Sequence, residues 1–181
     1  MLIGLHGKAG AGKDTVADYL YHRHSYGRIA FAGPLKDMLI VFGIGRHVLD
    51  DRDQKEQVIE WIGKSPRQLM QSLGTEWGRN LVGEDIWIRH AEHRLALQRR
   101  IGVKVCFTDC RFENEAAWIR AQGGVIWHIA RHLDHCITPE HSSEDGVARA
   151  AGDSFLDNSG TVEMLKLEIE AALAGDLQVQ I

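Results

Sequence analysis

The chain has 181 residues, 44% of them hydrophobic and 25% charged, with a formal net charge of −4. That length suits one domain of ordinary size, and the charge lacks the basic excess that polynucleotide binding demands, so a nucleic-acid polymer is not the expected partner. A local concentration of cations and main-chain N–H groups can still hold a small polyanion.

In chain order, residues 2–6 read as a short buried strand, and residues 14–21 carry Val16, Ala17 and Leu20 at helical spacing. A second strand ends near Phe31. A Gly33-Pro34 turn follows, then a helix from Leu35 or Lys36 to near Gly43, with Pro34 suited to its first turn. Residues 65–81 and 84–100 are both helical in period, the first opened by Ser65-Pro66 and the pair separated by Gly83. Residues 103–109 predict a strand, 114–122 a helix and 124–131 a strand rich in β-formers. Residues 132–151 have little periodicity, 155–158 read as a last strand, and 161–173 as a closing amphipathic helix. This alternation argues an α/β fold: a mostly parallel five-stranded sheet with helices on both faces, three layers in all. No repeat, low-complexity tract or Pro/Ser linker marks a boundary, so one domain over residues 1–181 is expected.

The cysteines Cys106, Cys110 and Cys136 are sparse and odd in number, which fits a reducing cytoplasm better than a disulfide framework. No apolar run has membrane-spanning length, and the start lacks a secretory pattern, so neither a membrane nor export is expected.

The most informative stretch is GLHGKAGAGKDT, from Gly4 to Thr15. Within it Gly7 to Lys13 match G-x-x-x-x-G-K between a strand and a helix, the context in which that spacing cradles phosphates. Glycines permit turns that aim successive N–H groups inward and let backbone approach phosphate oxygens. Lys8, Gly10, Gly12 and Lys13 are therefore the expected phosphate-binding residues, with Lys13 reaching the β- and γ-phosphates at a positive helix end. Ser or Thr usually follows the lysine and ligates Mg²⁺; here Asp14 stands there and Thr15 comes next. Either Asp14 supplies a carboxylate near the metal, directly or through water, or it caps the helix while Thr15 supplies the hydroxyl.

GKDTVADYL, AGPLKD, RQLMQSLGTEWG, TDCRFENEAAWIRAQGG and DNSGTVEML, in this order, resemble the deoxynucleoside monophosphate kinases of tailed bacteriophages. The chain is shorter than the larger members between Lys36 and Ser65, and residues 132–140 have no clear counterpart. The resemblance implies a P-loop kinase fold, ATP and Mg²⁺, phosphoryl transfer to a deoxynucleotide for DNA precursor supply, a cytoplasmic location (the host's, if phage-encoded), and leaves a homodimer open. A 5'-phosphate is largely dianionic at neutral pH and already nucleophilic, so such an enzyme needs alignment and cations rather than a general base.

Arg67, Gln71, Gly74 and Thr75 fall at i, i+4, i+7 and i+8, one stripe of an α-helix. By resemblance Gln71, Gly74, Thr75 and Trp87 contact the acceptor nucleotide; on composition alone Gln71 and Thr75 are a solvated face and Trp87 is core. Lys36 matches a lysine expected at the acceptor's phosphate, its plain alternative being a surface lysine. Asp109 ends a strand, where open α/β sheets hold ligands. By resemblance Asp109 and Arg111 line the reacting phosphates, and Glu115 orients Arg111 or touches the nucleotide, against a purely structural i, i+4 pair.

Residues 132–152 are the expected lid, bordered by Arg131 and Arg149, with Arg131 a candidate for ATP. His132, His135, Cys136 and His141 are of zinc-binding type, but their spacing fits no strong template. Two other readings keep the glycine loop: a kinase for another small phosphorylated metabolite or coenzyme precursor, and a non-catalytic nucleotide-binding module. The set Gln71, Thr75 and Trp87 argues against both, because neither requires a pocket for a planar base.

Overall fold

Short, almost wholly apolar strands are the mark of a sheet covered on both faces, and the computed structural model builds one from five strands, of which the three central ones are of that kind. It describes residues 1–131 and 146–178, so the zinc-type residues 132–141 and most of the expected lid lie outside the described residues. The strands are β1 (Leu2–His6), β2 (Gly27–Ile29), β3 (Val105–Phe107), β4 (Val125–Ala130) and β5 (Ser154–Asp157). They pair in parallel in the order β2-β3-β1-β4-β5. The connection out of β1 runs to β2 and returns to its neighbour β3, whereas β4 lies on the other side, so the strand order reverses at the carboxyl end of β1. Ligands of open α/β sheets lie at such a reversal.

Alternation along β1 assigns the helices. Ile3 and Leu5 join Cys106, Trp127, Ile129 and Leu156 in one core with Val16, Ala17 and Leu20 of α1 (Lys13–His24) and Leu165, Ile169 and Leu173 of α7 (Val162–Gln178). On the opposite face Ile119 of α6 (Glu113–Ala121) lies over Gly4, and Trp118 meets the Phe107 ring edge-on at 5.5 Å. Each fully buried aliphatic side chain in such a core stabilises the fold by about 1.5–3 kcal/mol. The three-layer arrangement expected from the sequence is the one observed.

The chain packs as two compact units, one of residues 1–30 with 92–181 and one of residues 31–91. All five strands belong to the first. The second comprises α2 (Gly33–Val41), α3 (Arg46–Asp50), a 3₁₀ turn (Gln54–Glu56), α4 (Pro66–Gln71), a π-helical stretch (Ser72–Val82) and the start of α5 (Ile86–Arg100). Leu39, Ile44 and Leu49 are its buried centre, with Ile40, Ile62, Leu69 and Leu73 packed around them.

The structure corrects the sequence reading in this second unit. The single helix expected over 65–81 starts as foreseen, with a capping box in which Ser65 Oγ accepts the Gln68 N–H and the Gln68 side chain accepts the Ser65 N–H. It then widens at Ser72 into π geometry, where hydrogen bonds reach five residues on. A wider turn takes in more residues, so the α-helical stripe through Arg67, Gln71, Gly74 and Thr75 does not continue past Gln71. The short helix α3 and the 3₁₀ turn were not legible, being under two turns long.

Candidate active site

The glycine loop leaves β1 at His6 and enters α1 at Lys13. Gly12 is the N-cap, with φ 106°, and a Cβ there would fall 2.2 Å from Asn158 Nδ2. A Cβ at Gly7 would fall 2.3 Å from the carbonyl oxygen of Ile129. Both positions therefore require glycine by space, and Gly12 by conformation as well. Lys13 Nζ donates to the carbonyls of Gly7 at 2.6 Å and Lys8 at 2.8 Å, which draws its charge back over the loop. The N–H groups of Lys13, Asp14 and Thr15 lie in the first turn of the helix, at its positive end. Because Gly12 holds the cap, Asp14 is not the capping residue; it is the second helical residue, exposed like Thr15 beside it. A carboxylate and a hydroxyl exposed on adjacent residues next to Lys13 are the hard oxygen donors that suit Mg²⁺.

The segment after β3 is stitched to the same strand ends. Thr108 N–H donates to Ile29 O, Cys110 N–H donates to Leu5 O, and the His6 ring bonds Cys110 O through Nδ1 at 3.1 Å. Asp109 and Arg111 thus lie at the carboxyl end of β3 beside the start of the glycine loop. Glu115 is 2% exposed, and its Oε2 accepts the main-chain N–H of Arg111 at 2.9 Å and of Phe112 at 3.2 Å. It orients Arg111 through the backbone, and Arg111 itself is exposed. Arg131, just past β4, donates from Nε to Asn158 O at 3.1 Å. Arg149 lies over the Phe155 ring at 5.8 Å.

The other candidates belong to the second unit. Lys36 on α2 donates to Asp50 Oδ1 of α3 at 2.6 Å, and Arg67 on α4 pairs with Glu56. Gln71 ends α4, and Gly74 and Thr75 lie in the π-helical stretch, all three half-buried. Trp87 is 6% exposed, its indole N–H donates to Gly74 O at 2.8 Å, and its ring lies against Gly78 and 6.2 Å from Trp77. Of the two readings of this tryptophan, burial favours packing: it supports the Gly74 backbone from beneath.

Comparison with known proteins decides the family. Residues 47–169, more than half of the chain, match the family described as deoxynucleotide monophosphate kinase. The chain belongs to that family. A protein of Acanthamoeba polyphaga mimivirus assigned as a deoxynucleotide monophosphate kinase is 31% identical, over 72% of this chain and 74% of the relative. The deoxynucleoside-5'-monophosphate kinase of Escherichia phage T5 is 25% identical over 93% of this chain and 94% of its own. In fold, TT1252 of Thermus thermophilus matches with TM-score 0.50 at 18% identity, covering 97% of both chains. A Chloroflexus aurantiacus protein assigned as a kinase matches with TM-score 0.52 at 10% identity, over 97% of this chain and 96% of that one.

Around the candidate site the chain also holds residues that sequence reasoning passed over. Asn158 is 3% exposed; its Nδ2 donates to Ala11 O at 2.8 Å and its N–H to Ala130 O at 2.8 Å, which ties the end of β4 to the middle of the glycine loop. Its place in DNSG was a visible signal, but only packing shows what the amide reaches. On the α6 face, Asp153 gathers Arg120 Nη2 at 2.7 Å, Ala150 N–H at 2.8 Å, Ile126 N–H at 3.1 Å and His128 Nε2 at 3.3 Å. Burial opposes its ionisation, yet these hydrogen bonds outweigh it and hold the carboxyl below the usual range. Glu113 accepts from Arg120 at 3.0 Å and from Ala148 N–H at 2.9 Å. His6 Nε2 accepts the Val147 N–H at 3.3 Å, so its proton is on Nδ1, facing Cys110 O. Burial pushes this imidazole below the usual histidine range, with help from His128 and Lys13 and against the Cys110 bond and Glu113. Residues 146–153 are thus strapped to β1, β4 and α6. Among the described residues no cluster of three or more metal-ligating side chains occurs, and no helix is long and apolar enough to cross a membrane.

Proposed function

We infer that this chain transfers the terminal phosphoryl group of ATP to the 5'-phosphate of a deoxynucleoside monophosphate, with Mg²⁺ as the metal, in the cytoplasm where both nucleotides are found. The observation that carries the reading is the glycine loop, which needs glycine at positions 7 and 12, sits where the strand order reverses, and holds Lys13 over its own carbonyls in a chain of this family.

Loop N–H groups and the Lys13 ammonium bind the triphosphate and carry charge to where it accumulates in the transition state. Arg111, fixed through its main chain by Glu115, supplies a second cation at the adjoining strand end, and Asp109 lies next to it. Asp14 and Thr15 would hold Mg²⁺, which when bound neutralises phosphate charge. Lys36 and Arg67 bind the acceptor's phosphate, and Gln71 and Thr75 its base, with Trp87 positioning Gly74. Both units serve one kinase domain, the donor residues in one and the acceptor residues in the other. The acceptor attacks as a dianion, so no side chain is required as a base.

A coupled ADP-release assay with ATP, Mg²⁺ and each of the four deoxynucleoside monophosphates tests this. At least one monophosphate is expected to raise ADP formation far above the rate with ATP alone. Equal rates with and without every monophosphate would remove the assignment.

A further inference from the structure

The parallel pairing of β1 with β3 runs to Gly4 and Phe107, and Asp109 and Arg111 lie beyond its last pair. Cys110 N–H reaches back to Leu5 O at 3.1 Å. The peptide unit that follows, between Cys110 and Arg111, has both of its polar groups taken by side chains. Its N–H donates to Glu115 Oε2 of α6 at 2.9 Å. Its oxygen, Cys110 O, is bonded by Nδ1 of His6 at the end of β1 at 3.1 Å. Cys110 is 1% exposed, so water has little access to that carbonyl.

The two ring nitrogens of His6 are not interchangeable. Val147 N–H points at Nε2 at 3.3 Å, so Nε2 accepts and Nδ1 carries the proton that the Cys110 carbonyl requires. The His128 ring packs against the imidazole edge-on, with centroids 5.3 Å apart, and burial keeps His6 neutral at pH 7. A planar peptide held at both its oxygen and its N–H cannot turn about its bonds to the Cα atoms of Cys110 and Arg111. Such a turn would redirect the chain at Arg111 and with it the guanidinium. We propose that His6 is a positioning residue for phosphoryl transfer: its Nδ1–H, together with Glu115, fixes the peptide unit from which Arg111 reaches the reacting phosphates. This rests on the role given above to Arg111, through which His6 acts.

The test compares steady-state turnover of wild type, His6→Asn, His6→Gln and His6→Phe with ATP, Mg²⁺ and a deoxynucleoside monophosphate. An asparagine amide N–H stands where Nδ1 stands and keeps the Cys110 bond, whereas a glutamine amide oxygen stands where Nε2 stands and keeps the Val147 bond instead. His6→Asn is expected to retain most of kcat. His6→Gln and His6→Phe are expected to lose about tenfold or more, the scale of a misplaced catalytic group, with smaller changes in KM for either nucleotide. In an Arg111→Ala background, His6→Gln is expected to cost no further kcat, because the two residues act as one unit. His6→Gln as active as His6→Asn, His6→Asn as poor as His6→Phe, or a loss that multiplies with that of Arg111→Ala would each overturn the proposal. Where a variant does not fold, nitrogen-15 NMR of the wild-type imidazole decides: the Nδ1–H tautomer is expected, and the Nε2–H tautomer overturns it. Rates are read relative to wild type and the tautomer without turnover, so failure here is distinct from failure of the kinase reading, which the ADP-release assay decides.

Discussion

Asn158 supports the glycine loop from behind. Its amide donates to a fully buried carbonyl, that of Ala11, in the middle of the loop. Removing it leaves that oxygen unpaired, at about 1–3 kcal/mol. Asn158→Ala is therefore expected to lower stability by that amount in urea unfolding and to reduce kcat/KM for ATP by about 10- to 100-fold, because the loop that aligns the phosphates loses its support. The acceptor's KM changes less. Asn158→Asp should be worse, since a carboxylate oxygen would then face the Ala11 carbonyl. Wild-type stability and ATP kinetics in Asn158→Ala would show that the loop holds its shape alone. The glycines and Lys13 were legible in the sequence because their requirement is local, set by φ and by spacing within seven residues. Asn158 acts across 147 residues of chain, and no local pattern encodes such a contact.

At the scale of elements, the strap of residues 146–153 ties the described end of the expected lid to the end of β1, next to the glycine loop. Beside the carboxylates of Glu113 and Asp153, it is held by His6, which takes the Val147 N–H only when neutral. Glu113, His128, Lys13 and the Asp153 carboxylate beyond His128 are the charged or titratable groups around it. The folded protein binds the His6 proton less readily than the unfolded chain, so stability is complete above about pH 6.5 and falls as pH drops from there to the lower folded value. Asp153 contributes a separate loss only at much lower pH, below the ordinary carboxylate range. Unfolding measured between pH 7 and 5 is expected to show a slope in wild type that is reduced in His6→Asn; an identical slope in both would rule out a contribution of the His6–Val147 bond. The elements were read well where a helix or strand met a clear period, as at α1, α6 and β4. They were misread where packing overrode the period. The π-helical stretch keeps an amphipathic sequence, and nothing in that sequence announces that the Trp87 indole will bind the Gly74 carbonyl and fill the space beside Gly78.

For the whole molecule, the parallel sheet with β1 at its centre and helices on both faces was legible from alternation alone, because strands and helices alternate along most of the chain. The division into two compact units was not, since it falls within α5 and no linker marks it. Candidate residues follow the division: Lys13, Asp14, Thr15, Asp109, Arg111, Glu115 and Arg131 in one unit, Lys36, Arg67, Gln71, Gly74, Thr75 and Trp87 in the other. Sequence motifs named the residues; the ion pairs of Lys36 and Arg67 and the burial of Trp87 needed coordinates, because side chains from different elements make them. The central claim is that the glycine loop delivers a phosphoryl group to a deoxynucleotide rather than to water. Following the γ-phosphate label of ATP in the presence of a deoxynucleoside monophosphate tests it most directly. Label is expected in the deoxynucleoside diphosphate, equal in amount to ADP formed, with at least about a 100-fold slower transfer in folded Lys13→Ala. Label recovered only as inorganic phosphate, or transfer undiminished without the Lys13 ammonium, would contradict it.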